Sequence, residues 1–380
     1  VFLGDSITSA NASDTVNYQW GLSFPTIATY KSLGKIQRVA NAGVVGNTTA
    51  QMLARFTTDV TAYAPSLVVI TAGTNDWNDA TATSLATYQS GIAALVAACR
   101  GIGAAPVLCT VPPNIISSAR RARTTLGNAW LRQYAQQQGI PLVDFYNLLV
   151  DPATGGYLSA YNNDGTHPNN AGFIAMGNLV ADTLATWNTP VVSLLPQENA
   201  DPNNLVLNGL NLTTTGSGTS LMPTSWSVQS SVHPTGVTGS LVTGDSSIKG
   251  NWWQVAAVGA TSTNNEFQTV SGIIGGHVYA HVGRFKATGM RAADSGSGSQ
   301  WLIGAAFNSS LNIAGYDWRV AASHSYDVSE GVYYHVMTAP SDATTLLVRR
   351  QLLNTTSGNG TLQVAQVGVY DLTALGLSTT

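Results

Sequence analysis

Gly4-Asp5-Ser6 follows directly on an apolar run, Val1-Phe2-Leu3. The single histidine before residue 188, His167, stands three residues after Asp164. A serine hydroxyl, an imidazole and a carboxylate are what nucleophilic acyl transfer requires: the imidazole takes the hydroxyl proton, and the carboxylate orients the imidazole. The reaction also requires donors aimed at the oxyanion. Gly73-Thr74-Asn75-Asp76 offers the uncharged amide of Asn75. Asn41-Ala42-Gly43-Val44-Val45-Gly46-Asn47 offers Gly46, where the missing side chain lets the backbone approach closely. Each segment alone is weak. Gly244-Asp245-Ser246 repeats the first one, and a lone Asp-x-x-His is ordinarily a surface loop. The second copy has no Gly-x-Asn-Asp or Asp-x-x-His-Pro after it and reads as a turn.

The surrounding pattern places these residues. Val1 to Leu3 reads as the end of a buried strand and Gly4 as a sharp turn. That puts Ser6 at the carboxyl end of a strand, where open α/β sheets hold their ligands. Residues 66–72 are the clearest buried strand, with Gly73 to Asp76 at its end. Residues 36–40, 106–111 and 141–145 read as further strands. Helices are expected over 20–33, from Thr48 or Thr49 to 63, and over 82–100, 117–138 and 168–187. Thr48 or Thr49 would cap the second, Gly101 and Gly139 would stop the next two, and Pro168 would sit in the first turn of the last. Strands alternating with helices of this length imply a parallel sheet covered on both faces. His167 then lies at a loop–helix junction, able to project over the sheet.

Four motifs in order, each after its expected element, resemble the SGNH (GDSL-type) hydrolases over about residues 1–187. They are Gly4-Asp5-Ser6, Gly46 within Asn-x-Gly-x-x-Gly-Asn-Thr, Gly73-x-Asn75-Asp76, and Asp164-x-x-His167-Pro168. The resemblance implies a flavodoxin-like three-layer α/β/α domain. It implies Ser6 as nucleophile, His167 as base and Asp164 as its orienter. The amides of Ser6 and Gly46 and the side chain of Asn75 would form the oxyanion hole. Asp5, Asp76 and Trp77 are supporting or substrate-binding candidates: Asp76 as a holder of the oxyanion loop, Trp77 as pocket lining or as packing. Pro112, Pro113 and Asn114 are expected in the pocket wall. One histidine and no glutamate through residue 187 leave no ligand cluster, so no metal and no other cofactor is expected. The expected activity is that of a serine esterase on O-acyl esters, with O-acetyl groups on a polysaccharide as the first expectation. A short-chain carboxylesterase, lipase or thioesterase is the alternative on the same residues. A non-catalytic sugar-binding adhesin or phage tail module is the alternative from another class.

At 380 residues the chain is long enough for two domains. The pattern changes near Asn188. The boundaries expected are 1–188 for the catalytic domain, 189–204 for a linker with three prolines, and 205–380 for an all-β sandwich or jelly roll of many short runs. Trp226, Trp252, Trp253, Trp301, Trp318, Tyr316, Tyr326, Tyr333 and Tyr334 are mostly sandwich core on this reading. A subset exposed on one face would make a sugar-stacking platform. The alternative for this half is a structural or oligomerising role.

The net charge is −3, only 9% of residues are charged, and there are four lysines and no basic run, so nucleic acid is not an expected partner. No apolar run reaches the roughly 20 residues of a membrane span, and no signal peptide is evident. The sequence opens inside the first strand, as a mature or trimmed product would. Abundant Gly, Ser, Thr and Asn suit a secreted, extracellular or virion-borne protein. Cys99 and Cys109 are expected as two buried thiols, and two cysteines exclude a disulfide scaffold.

Overall fold

The computed structural model describes residues 1–9, 23–80, 83–186, 195–290, 298–309, 316–324, 327–354 and 357–377. They fall into two compact units, one within residues 1–189 and one within 190–380.

The first unit alternates β1 (Phe2–Gly4), α1 (Ser6–Ser9), α2 (Phe24–Lys31), β2 (Asn41–Gly43), α3 (Thr49–Ala54), α4 (Phe56–Asp59), β3 (Leu67–Thr71), α5 (Leu85–Gly101), β4 (Ala105–Cys109), α6 (Ser118–Gln138), β5 (Leu142–Val143), α7 (Phe145–Leu149) and α8 (Asn170–Leu184). The five strands form one parallel sheet in the order β2-β1-β3-β4-β5. This is the flavodoxin-like order. Successive strand residues point to opposite faces, and both faces are buried. Leu3, Val68, Ile70 and Leu108 join Met52, Tyr88, Ile92 and Leu131 of α3, α5 and α6. Phe2, Val69, Val107 and Val143 join Ile7, Phe24, Met176 and Val180 of α1, α2 and α8. Cys99 and Cys109 are free thiols buried in these two different layers, and burial pushes both up to about 12.

Local signals explain most helix ends. Ser84 and Ser117 cap α5 and α6 through their hydroxyls, and Gly139 ends α6 in the left-handed conformation. Thr48 caps α3 in a full capping box with Gln51.

Three expectations shift. The strand expected at 36–40 is Asn41–Gly43, in register with Phe2–Gly4. The helix expected to run to 63 breaks at Arg55 into two short helices and a 3-10 turn. The last helix starts at Asn170 with Asn169 as its cap, and Pro168 pairs with Asn162 in an isolated bridge instead. Of the helix expected at 20–33, residues 20–22 lie outside the described residues, as do 81 and 82, 187 and residues 189–194 of the expected linker.

The second unit is built of antiparallel strands. In order they are β6 (Thr214–Thr215), β7 (Met222–Pro223), β8 (Ser227–Val228), β9 (Val237–Val242), β10 (Trp252–Ala257), β11 (Asn264–Ser271), β12 (Val278–Thr288), β13 (Ser299–Asn308), β14 (Tyr316–His324), β15 (Val328–Thr338), β16 (Thr345–Asn354) and β17 (Thr361–Asp371). β6 and β7 pair with each other. The rest form two five-stranded sheets, β15-β12-β17-β10-β9 and β14-β13-β16-β11-β8. Trp252, Trp253, Trp301 and Tyr333 are fully buried and Trp226 nearly so, so these aromatics are core. Tyr334 is half-buried. The side chains of Trp318 and Tyr316, and Tyr326 altogether, lie outside the described residues. Residues 195–204 of the expected linker pack on β17: Leu195 joins the cluster holding Tyr370, and Gln366 donates to the Pro196 carbonyl at 2.8 Å.

At the centre of this sandwich lies a buried ion pair. Glu266 of β11 accepts from Arg350 Nε of β16 at 2.6 Å, from Trp253 Nε1 at 2.8 Å and from Asn264 Nδ2 at 3.0 Å. The Arg350 guanidinium lies 4.0 Å from the centre of the Trp226 ring. Burial pushes Arg350 down, and the Glu266 carboxylate counters it.

Candidate active site

Three adjacent parallel strands end side by side, with Gly4 in register with Gly43 on one side and Thr71 on the other. Ser6, Gly46 and Asn75 lie two, three and four residues past those ends. The site therefore sits where strand order reverses between β1 and β3, the topological switch point. Gly4 must be glycine: a Cβ there would lie 2.0 Å from Thr8 Oγ1. Gly46 has φ +80, which L side chains rarely adopt.

Ser6 opens α1, and its Oγ lies 2.9 Å from His167 Nε2. The other ring nitrogen, His167 Nδ1, lies 2.8 Å from Asp164 Oδ2. Asp164 Oδ1 accepts the backbone N–H groups of Thr166 at 2.9 Å and His167 at 2.8 Å. Burial would raise the Asp164 carboxyl, but the hydrogen bonds from the backbone and ring of His167 outweigh it and hold it at about 2. The carboxylate thus stays charged and favours the tautomer with the proton on Nδ1. Nε2 is then an acceptor facing the Ser6 hydroxyl. The loop that carries this pair is itself braced. Gly165 N–H donates to Asn162 Oδ1 at 2.8 Å, and Tyr157 Oη donates to the Thr166 carbonyl at 2.9 Å.

The remaining candidates separate by exposure. Ser6, Asn75 and His167 are half-buried and Gly46 is exposed, while Asp5, Asp76 and Trp77 are buried. Asp76 reaches across to the loop after β2. It accepts from Thr49 N at 3.0 Å and from Thr49 Oγ1 at 2.6 Å. Burial raises its carboxyl, and the Thr49 bonds oppose that. Asn75 Nδ2 donates to the Asn47 carbonyl in the same loop at 3.1 Å. Trp77 packs at a tilt against Tyr88, 4.5 Å between ring centres, and its buried ring fills the space beside Gly127, so it is a packing residue. Asp5 accepts from Ile7 N–H at 2.9 Å and is pushed up to about 6 by burial, an effect that the Ile7 bond and the charge of His167 reduce.

At the end of β4, Pro112, Pro113 and Asn114 are buried. The exposed residues there are Ile115 and Ile116. Ile115 N–H donates to the Gly165 carbonyl at 2.9 Å, which sets it beside the His167 loop. Val44 and Val45 are exposed beside Gly46. Two arginines with no local sequence signal complete the surroundings. Arg120, itself buried, donates to the Thr74 carbonyl at 3.0 Å, and Arg55 bonds Gly4 and Asn47. The second Gly-Asp-Ser is a surface turn. Asp245 accepts from Trp252 Nε1 at 2.8 Å and Lys286 Nζ at 3.2 Å, and Ser246 is exposed.

A serine hydroxyl on an imidazole that a carboxylate orients, at the switch point of a parallel sheet, is equipment that the hydrolysis of carboxylic esters can use. Residues 2–173 match the GDSL-like Lipase/Acylhydrolase family. That part of the chain is a GDSL-like lipase/acylhydrolase domain, and the protein is a carboxylic ester hydrolase. Similar solved structures include a GDSL-like lipase from Bacteroides thetaiotaomicron, 29% identical over 49% of this chain and 87% of its own, with a TM-score of 0.41. A catalytic mutant of an acetylxylan esterase from Geobacillus stearothermophilus is 23% identical over 48% and 92%, with a TM-score of 0.42. A lipase/acylhydrolase from Enterococcus faecalis is 24% identical over 50% and 97%, with a TM-score of 0.40. No curated protein matches the sequence.

Proposed function

We propose that the protein is a serine esterase acting through a Ser6–His167–Asp164 triad and an acyl-enzyme, with O-acetyl groups on a polysaccharide as its substrate. The observation that carries the triad is the unbroken line from Ser6 Oγ through both ring nitrogens to Asp164, with steps of 2.9 and 2.8 Å.

Ser6 Oγ attacks the ester carbonyl carbon as its proton passes to His167 Nε2. The carbonyl oxygen becomes an oxyanion, facing the amides of Ser6 and Gly46 and the side chain of Asn75. Collapse expels the alcohol, which takes the proton from His167, and leaves the acyl group on Ser6. Water then attacks the acyl carbon and gives a proton to His167; collapse breaks the bond to Ser6 Oγ, which takes that proton back from His167, and the acid is released. Asp164 holds the imidazole and offsets its positive charge in both halves. The polysaccharide is supported by a composition rich in small polar residues and poor in lysine. A second reading, a carboxylesterase for longer acyl chains, is favoured by the exposed Val44, Val45, Ile115 and Ile116 beside the site.

The test is a chromogenic ester series from acetate to octanoate, run beside acetate release from acetylated polysaccharides. Preference for acetyl esters with release from a polymer supports the first reading. A rate that rises with chain length, without release from polymers, supports the second. No hydrolysis of any ester would overturn both.

A further inference from the structure

Arg55 sits at the break between α3 and α4, with its side chain only 16% exposed. Its guanidinium reaches three different segments. Nη2 donates to the Gly4 carbonyl at 2.8 Å, Nε to Asn47 Oδ1 at 2.7 Å, and Nη1 to Asp59 Oδ2 at 2.6 Å. Gly4 is two residues before Ser6, and Asn47 directly follows Gly46. The Asn47 carbonyl in turn accepts from Asn75 Nδ2 at 3.1 Å. One chain of hydrogen bonds therefore runs from the nucleophile strand, through Arg55, to the Gly46 loop and on to Asn75.

We propose that Arg55 is a positioning residue that fixes the distance between the Ser6 turn and the Gly46 loop. It would thereby make the three oxyanion donors converge on one point. This rests on the triad and oxyanion assignment proposed above. Besides Arg55, the loop is tied to the Ser6 turn by one backbone bond, from Val44 N–H to the Gly4 carbonyl at 3.0 Å, and closed by Asn47 N–H on the Val44 carbonyl at 3.2 Å. Val44, Val45 and Gly46 are exposed and Gly46 has no side chain to pack. Buried contacts cannot set its position, so hydrogen bonds must. The Gly4 carbonyl holds its near end at Val44, while beyond Gly46 Arg55 holds Asn47 and Asp76 holds Thr49. A guanidinium suits the task because its donors lie in one rigid fork, so two acceptors on separate segments are held at a fixed spacing. A lysine ammonium is a single point on a flexible stem. If Arg55 served only its exposed-side pair with Asp59, an i,i+4 pair, its loss would touch stability slightly and turnover not at all.

The experiment measures kcat and KM on a chromogenic acetyl ester for Arg55→Ala, Arg55→Lys, Asn47→Ala and the Arg55→Ala/Asn47→Ala double variant, with Ser6→Ala alongside. Misplaced oxyanion donors lower kcat about 10- to 100-fold while KM stays within about threefold. Arg55→Lys is expected to recover only part of the loss. The double variant should lose no more than either single one, because both break the same link. Millimolar guanidinium should restore turnover to Arg55→Ala and not to Asn47→Ala. A folded Arg55→Ala with kcat within about twofold of the parent would overturn the proposal, as would additive losses in the double variant. If Arg55→Ala does not fold, Asn47→Ala decides, since it removes only the side-chain acceptor: an unchanged kcat there overturns the proposal. Ser6→Ala separates the two levels. Full activity in it sinks the triad reading itself, whereas a dead Ser6→Ala beside an unimpaired Arg55→Ala sinks only the clamp.

Discussion

Ser6 Oγ and His167 Nε2 meet at 2.9 Å although 161 residues separate them in the chain. The end of β1 delivers one and the loop before α8 delivers the other, so the contact exists only in the folded sheet. If Ser6 is the nucleophile, Ser6→Ala should lower kcat by about 10⁴-fold or more and leave thermal unfolding nearly unchanged, because the side chain is half-buried. Ser246→Ala, in the surface turn, should match the parent. An active Ser6→Ala with an inactive Ser246→Ala would reverse the choice between the two copies.

Asp164 lies in an exposed loop, yet its carboxylate takes two backbone N–H groups and one ring nitrogen. Asp164→Asn should lower kcat by about 10²- to 10⁴-fold with little change in KM, because the imidazole loses the partner that fixes its tautomer. The same bonds set a pH signature. Its folded value, about 2, lies below the unfolded one of about 3.9. The stability it contributes is therefore present above about pH 4 and lost as pH falls towards 2. The melting-temperature gap between parent and Asp164→Asn should close over that window. Half the side chain is exposed, which keeps the gap small. A gap that stays constant from pH 5 to 2 would contradict it.

The catalytic half was legible because its chemistry is written in short segments at strand ends. Ser6, Gly46 and Asn75 each follow a glycine or a buried strand, and the sheet only had to close to unite them. What escaped notice had no local signal. β2 is Asn-Ala-Gly, without a single β-branched residue, and its pairing with β1 makes it a strand. Ile36 and Val39 mimicked one nearby, although Val39 is 52% exposed. β11 carries no alternating apolar signal, because its inward face is Asn264, Glu266 and Gln268, polar groups that look outward-facing until Arg350 and Trp253 are placed opposite. Arg55 looks like any helix-surface arginine, and two of its three acceptors, the Gly4 carbonyl and the Asn47 side chain, belong to segments far from it in sequence or outside its helix. Trp77 was ambiguous between wall and core until α6 supplied Gly127 against its ring.

Asp5 gives a stability signature of opposite sign to Asp164. It is fully buried beside the nucleophile, and its carboxyl titrates at about 6 in the folded protein. A raised value means that the native state holds the proton more tightly than the unfolded chain. The stability that this supplies is complete below about pH 4 and is lost as pH rises through 6. Asp5→Asn keeps an oxygen for the Ile7 N–H and removes the titration. Relative to the parent it should gain stability between pH 4 and 7, by at most about 3 kcal/mol for a carboxyl raised to about 6, with no further change at higher pH. Thermal unfolding of both proteins from pH 4 to 8 checks this. Parallel curves would show that Asp5 does not titrate in that range.

The Glu266–Arg350 pair makes a prediction for the second unit. Both side chains are at most 2% exposed, and Glu266 also takes the indole of Trp253 and the amide of Asn264. Removing one charge leaves the other buried and uncompensated, which costs about 3–5 kcal/mol. Replacing both with apolar residues of similar volume is often neutral. Glu266→Leu should therefore be strongly destabilised, with Arg350 stranded against Trp226. Arg350→Met should suffer similarly, with Glu266 stranded. The Glu266→Leu/Arg350→Met double variant should recover much of the loss, though the Trp253 and Asn264 donors left without an acceptor keep it below the parent. Chemical denaturation followed by tryptophan fluorescence reads the sandwich, because Trp226 and Trp253 flank the pair. Losses in the double variant equal to the sum of the single ones would show that the two charges do not depend on each other. The fault would then lie with the packing of each side chain, not with an unpaired charge.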